Sequence, residues 1–126
     1  MSRIKSIARP FFHTSRRLLA KLWLQSHKKV DVIGVTGSYG KTNTVFAIDA
    51  VLSQKFKTLT TDVNLDSNFN LPITILKLKD HQKLILECGI DHPGEMDKHV
   101  SLARPKIAVV TGIAPVHADK THMGSL

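Results

Sequence analysis

The segment DVIGVTGSYGKTNT, residues 31–44, constrains the fold more tightly than any other part of the chain. An apolar run leads through Gly34, Gly37 and Gly40 into Lys41 and Thr42, where a helical pattern begins. Strand, glycine loop and helix in that order are the start of a parallel sheet covered by helices. The loop also has a chemistry. Phosphate oxygens need several hydrogen-bond donors at once, backbone N–H groups at a helix start supply them, and glycines let that backbone come close. Gly37 and Gly40 bracket Ser38 and Tyr39, Lys41 can reach outer phosphates, and Thr42 can offer its hydroxyl to Mg²⁺. The strict G-x-x-x-x-G-K-[ST] spacing fails, because Val35 stands where the first glycine belongs and Gly34 falls one residue earlier. The plain alternative is a glycine turn with a surface lysine.

The chain beyond this loop keeps alternating. Val30 to Val35 reads as the first strand, Lys41 to Gln54 as a helix with Val45, Ile48 and Leu52 on one face, and residues 57–61 as a second strand. Residues 62–72, rich in Asn, Asp and Ser, read as a loop, and residues 73–78 fit strand or helix equally. Lys83 to Glu87 reads as a buried strand. Residues 94–103 read as a helix with Met96, Val100 and Ala103 inward, and residues 106–111 as another buried strand. Glu87 closes the apolar run Leu84, Ile85, Leu86, which puts a carboxylate at the carboxyl edge of the sheet, where open α/β sheets bind ligands. Burial there is costly unless a cation offsets the charge. The alternative is an exposed acid at a strand end.

Charge divides the chain at residue 30. Residues 1–30 hold eight basic side chains and no acid, and the remainder holds ten of each sign, so the formal excess of +8 sits in the leader. A body that gripped nucleic acid would carry the excess itself. In the leader, Ile4, Ile7, Ala8 and Phe11, then Leu18, Leu19, Leu22 and Trp23, form two apolar stripes at helical spacing, separated by Pro10 and residues 13–15. Three readings stay open: a helix packed on the following domain, a surface for anionic lipid over residues 1–28, or an organelle presequence. No run approaches the roughly 18 apolar residues of a spanning helix. Cys88, the single cysteine, excludes an internal disulfide, suits a reducing compartment and reads as a small buried residue.

The wording GVTGSYGKTNT closely resembles the nucleotide loop of the Mur ligases, ATP-dependent enzymes that join an amino acid or dipeptide to a carboxylate in peptidoglycan assembly. Three further stretches are similar to the family in order and spacing. NLDSNFNLP matches at Asn64 and Pro72, with Asp66 and Ser67 where asparagines are usual and Asn70 where glycine is usual; Asn tolerates positive φ, so the turn is expected to survive. LILECGIDHPGEM resembles the strand ending in an acid and the next helix start, and RPKIAVVTGIAPVHADKTHMGSL the following strand and His-containing loop, with Gly112 replacing a usual Asn. The branch that adds a D-alanyl-D-alanine dipeptide is nearest, from PGEM and RPKIAVVTGIAPVH.

The resemblance implies an α/β P-loop three-layer fold with a mostly parallel sheet, incomplete at the C-terminal end, with residues 1–29 a basic helical leader and 30–126 the first half of the central ATPase domain. It implies ATP and Mg²⁺, a UDP-linked muramoyl peptide and an amino acid or dipeptide as partners, and a cytoplasmic setting. The substrate carboxylate would attack the γ-phosphate to give an acyl phosphate, which the amine displaces. Thr36, Gly37, Ser38, Tyr39, Gly40, Lys41, Thr42 and Asn43 would bind the nucleotide. Lys41 and Glu87 would be catalytic, Thr42 and Glu87 would hold Mg²⁺, and His117 would ligate a second metal or be an ordinary loop histidine. His92, His99 and His122 carry no such role. Two competing readings are a GTPase switch, since DHPG at 91–94 satisfies Asp-x-x-Gly without a guanine-reading Asn-Lys-x-Asp after it, and an interaction module without turnover. The ending at Leu126 without a closing helix or strand reads as a cut.

Overall fold

The computed structural model describes residues 2–62 and 65–115, residues 2–13 by their backbone alone. Asn64, His117 and His122 lie outside the described residues.

Four strands, β1 (Asp31–Thr36), β2 (Thr58–Thr60), β3 (Lys83–Glu87) and β4 (Ile107–Val110), form one sheet in the order β2-β3-β1-β4. Every neighbouring pair is parallel, with Ile33 opposite Ile85 on one side and Ile107 on the other. Four helices, α1 (Ser2–Ser26), α2 (Lys41–Leu52), α3 (Ser67–Leu76) and α4 (Glu95–Ala103), accompany it. The apolar runs of β1 and β3 are continuous because both faces are covered. Val32, Leu84 and Leu86 pack with Leu71, Ile75 and Leu102 on one face, while Ile33, Val35 and Ile85 pack with Val45, Ile48 and Leu52 on the other. Each fully buried aliphatic side chain contributes about 1.5–3 kcal/mol.

This layering positions the site. The connection leaving β1 runs through α2 on one face, and the connection leaving its neighbour β3 runs through α4 on the other. The two strands' exits diverge, which opens a crevice outside their carboxyl ends. At the opposite end Asp31 takes both Lys83 (2.5 Å) and Lys106 (2.8 Å), and these two ammonium groups hold its carboxyl down at about 2. The three strands β1, β3 and β4 are thus tied in register at their starts.

Several sequence-based expectations change. Helix α1 runs unbroken through Pro10, because a proline removes one N–H and crowds the preceding turn, which can bend a helix without ending it. Residues 67–72, expected to be loop, open α3. Asp66 caps that helix by accepting from the Asn68 N–H at 2.7 Å, and Pro72 is tolerated within it because Leu71, Pro72 and Ile75 are buried. Asn70 is helical, and Arg104 is the sole non-glycine residue with positive φ among the described residues, so the expected left-handed turn at 70 is absent. On α4 the inward residues are Glu95, His99, Leu102 and Ala103, whereas Val100 is exposed. β4, expected to be buried, is the edge strand, with Ile107 52% and Val110 58% exposed.

Candidate nucleotide site

The glycine loop sits at the carboxyl end of β1, and its backbone explains its composition. Gly37 (φ 141°) and Gly40 (φ 76°) occupy conformations that L side chains rarely adopt. A Cβ on Gly37 would also collide with the Thr111 hydroxyl. Gly40 caps α2, where its carbonyl accepts from the Thr44 N–H at 3.0 Å. The first N–H groups of α2 therefore face the crevice end of the sheet.

Of the three residues singled out for phosphate and metal chemistry, Thr42 and Glu87 are in contact and Lys41 folds over the adjoining loop. Lys41 Nζ donates to the Gly37 carbonyl at 2.9 Å, folding the ammonium back over the loop. Thr42 Oγ1 donates to Glu87 Oε2 at 2.9 Å, joining the start of α2 to the end of β3. Glu87 is half-buried and fixed by its own backbone, whose N–H donates to Thr61 Oγ1 at 3.0 Å and whose carbonyl accepts from Ser67 at 3.3 Å. Thr36 faces the same edge, donating to the Cys88 carbonyl at 2.8 Å. Asn43 is exposed in the first turn of α2. Burial beside Glu87 pushes the Cys88 thiol up to about 11, so it is a packing residue and no nucleophile.

The loop after β4 closes the other side, through contacts with Ser38 and Tyr39 that the sequence did not announce. Ser38 donates its N–H to the Gly112 carbonyl at 2.8 Å, while its hydroxyl donates to the Ala114 carbonyl and accepts from the Ala114 N–H, each at 2.9 Å. The Thr111 hydroxyl lies 3.2 Å from the Thr36 carbonyl and 2.5 Å from the Tyr39 carbonyl, its one proton shared between them. The Tyr39 ring lies over Gly112, where a Cβ would come within 2.5 Å of it. The substitution of glycine for the family's usual asparagine at 112 was the available signal; its partner, Tyr39, was not visible without the fold.

A cavity of about 620 Å³ runs from this loop along the sheet edge, lined by Lys41, Ser67, Asn68, Gly89, Asp91 and Ile113 among others. Its floor is organised by Glu95. That carboxylate accepts from the Asp91 N–H (2.8 Å), the His92 N–H (3.1 Å) and the Asn68 amide (2.8 Å), and these bonds, Asp91's first, hold it down at about 2. His99 lies beneath, almost fully buried, with Nε2 paired to the Gly89 carbonyl at 3.1 Å and Nδ1 without a partner. Burial depresses its pKa, opposed by the Gly89 bond.

Thr42 and Glu87 suit a hard cation. Two oxygen ligands at one spot match the way Mg²⁺ is held, through one or two protein oxygens with phosphates and water completing its shell. No cluster of three or more His, Cys, Asp or Glu able to hold a metal occurs among the described residues.

A parallel sheet with helices on both faces, and a glycine-Lys-Thr loop joining its central strand to a helix, define the P-loop class of α/β domains. Residues 35–125 match the Mur ligase middle domain, and the chain belongs to the Mur ligase family, which acts in peptidoglycan precursor synthesis. It is 39% identical over 105 residues to the UDP-N-acetylmuramoyl-tripeptide–D-alanyl-D-alanine ligase of Bacillus subtilis, covering 82% of this chain and 23% of that protein. With the Escherichia coli ligase of the same name it shares 36% over 98 residues, 77% of this chain and 22% of that one. Among solved structures, MurF ligase from Thermotoga maritima in complex with ADP superposes with a TM-score of 0.79 at 30% identity, covering 85% of this chain and 25% of that one. MurF from Acinetobacter baumannii gives a TM-score of 0.75 at 30% identity, over 78% and 22%. The chain thus spans about a quarter of the length of the relatives it matches.

Proposed function

We propose that this chain is the ATP-binding part of an amide-forming acid–amino acid ligase that works through an acyl phosphate. The observation that carries the reading is the contact of Thr42 with Glu87 at the carboxyl edge of β1 and β3, beside a glycine loop over which Lys41 is folded. Phosphoryl transfer asks a protein mainly for positioning and neutralised charge. On this reading the loop amides and Lys41 hold the phosphate tail, releasing the bond that Lys41 makes to Gly37. Thr42 and Glu87 would hold Mg²⁺, which when bound neutralises phosphate charge. His117 is proposed as a ligand of a second metal. The acceptor would be the carboxylate of a UDP-linked muramoyl peptide, the amine an amino acid or dipeptide such as the one named for the relatives, and the setting the cytoplasm.

A second reading is a nucleotide-binding module without turnover. It is favoured by coverage, since the chain spans about a quarter of the length of the ligases it matches.

Titration of the purified chain with fluorescent ATP and GTP analogues, with and without Mg²⁺, tests the assignment. ATP should bind in preference to GTP, Lys41→Ala should abolish binding, and His117→Ala should leave it mostly intact. A preference for GTP, or equal ATP affinity in parent and Lys41→Ala, overturns the ligase reading. Phosphate release by the bound chain separates turnover from binding alone.

A further inference from the structure

Among the described apolar side chains of α1, packing on the domain uses Ala20 and Leu24 and leaves Leu18, Leu19, Leu22 and Trp23 exposed. At about 100° per residue, Arg17, Ala20 and Leu24 project to one side of the helix. Ala20 is fully buried in the cluster of Leu71, Ile75 and Leu102, Leu24 packs against that cluster, and Arg17 Nη2 donates to the Lys98 carbonyl at 2.7 Å. Leu18, Leu19, Leu22 and Trp23 fall within an arc of about 140° on the opposite side. They remain 57, 59, 54 and 43% exposed with the helix already docked. Trp23 touches the domain through its ring N–H and Leu18 edges the cavity between α1 and α4, but domain packing leaves about half of each side chain in the stripe uncovered.

The charge around the stripe has one sign. Arg16 and Lys21 border the arc on its two edges, Lys28 and Lys29 follow in the turn, and residues 1–30 contain no acid. A second element adds to it: Trp23 Nε1 donates at 3.2 Å to the carbonyl of Leu78, which lies between the exposed Lys77 and Lys79. Three acids, Asp80, Glu95 and Asp97, lie in the clefts beside α1 and the turn after it. Asp80 pairs with Lys57 at 2.5 Å, in a cleft shared with Lys28, Lys29, Lys79 and Lys83. Glu95 and Asp97 line a cavity of about 840 Å³ with Arg17, Lys21 and Lys98, and Glu95 is bonded to backbone and Asn68.

We infer that the outward face of α1 docks this protein on an anionic lipid surface, with Leu18, Leu19, Leu22 and Trp23 at the headgroup boundary and the flanking lysines and arginine against the lipid charge. Charge complementarity alone would suit nucleic acid as well, but nucleic acid gives no use to four exposed apolar side chains in one stripe. The boundary between headgroups and acyl chains accepts leucines, an indole and a basic rim together. The contact is peripheral, because no described helix is long and apolar enough to cross a membrane.

Trp23 is the only tryptophan, so its emission reports the contact directly. The full chain should show a blue shift and co-sediment with phosphatidylcholine vesicles containing about one-third phosphatidylglycerol. Binding should be at least about tenfold weaker to pure phosphatidylcholine, and should fall as salt rises. Leu18→Gln/Leu22→Gln should lose it and Lys28→Glu/Lys29→Glu should weaken it, both retaining the parent's circular dichroism. No shift with anionic vesicles, equal binding to neutral ones, or parental binding by a correctly folded Leu18→Gln/Leu22→Gln variant overturns the inference. So does a shift produced by duplex DNA in place of vesicles, or one that grows with protein concentration without lipid. None of these readouts depends on nucleotide binding.

Discussion

Thr42 and Glu87 stand forty-five residues apart in sequence and 2.9 Å apart in space, the threonine hydroxyl donating to the carboxylate. The bond joins the first turn of α2 to the last residue of β3, and it exists because parallel pairing sets Val35 opposite Glu87, directly before the glycine loop. A hydroxyl and a carboxylate so placed can exchange their mutual hydrogen bond for a shared cation.

Magnesium dependence follows. Glu87→Gln keeps the shape and the acceptor oxygen but removes the charge. It should lower ATP affinity by roughly 10- to 150-fold in magnesium and leave affinity in EDTA near the parent's, the span that corresponds to the roughly 1.5–3 kcal/mol typical of charged hydrogen-bond partners. Titrations in the two buffers measure this. Equal losses in both would mean that Glu87 serves the loop's shape and holds no metal.

The Tyr39 ring and Gly112 form a fitted pair, since a Cβ at 112 would come 2.5 Å from the ring. Gly112→Ala should displace the ring and with it the Ser38 bond to the Gly112 carbonyl, weakening ATP binding several-fold. Tyr39→Ala alone should be close to the parent, and Tyr39→Ala/Gly112→Ala should recover most of the loss. Binding isotherms of the four proteins form a double-mutant cycle; additivity would show that the two positions are uncoupled.

The start of α3 depends on two polar side chains. Asn70, buried, accepts the Asp62 N–H at 3.2 Å and the Thr74 hydroxyl at 3.1 Å. Asn70→Leu leaves both donors stranded and should cost about 2–3 kcal/mol in urea unfolding. Asp66→Ala removes the helix cap and should cost about 1 kcal/mol.

Acid should weaken the fold in two windows. His99 has a folded pKa below its ordinary 6.5, because burial disfavours the cation, so the unfolded chain binds more protons and stability declines as pH falls below about 6.5. Glu95 has its pKa held at about 2, below the ordinary 4.5, chiefly by the Asp91 N–H; its contribution is complete above about pH 4.5 and is lost as pH falls toward 2. Urea midpoints measured from pH 7.5 to 3 should show both declines. His99→Gln should flatten the upper one and Glu95→Gln the lower.

Much of the site was legible because its parts are contiguous. Gly37, Gly40, Lys41 and Thr42 lie within six residues, and local backbone rules alone require a loop between strand and helix there. The α3 region misled because Asn, Asp and Ser favour loops and also cap and close helices; whether they do one or the other depends on burial, here of Leu71, Pro72 and Ile75. The spacing of Met96, Val100 and Ala103 puts Val100 inward on α4, whereas His99 takes the buried position and pairs with the Gly89 carbonyl there.

The sequence by itself determined the four strands and the helix after the first of them, the phosphate-type loop, the carboxylate at the end of β3 and the family, since each is written in neighbouring residues or in their wording. Only the tertiary structure decided what meets what. The pairing of Thr42 with Glu87, the clasp of Thr111, Gly112 and Ala114 on Ser38 and Tyr39, the edge position of β4 and the free side of α1 come from strand order and helix packing. Those contacts join residues far apart in the chain, where local propensity carries no information about distance.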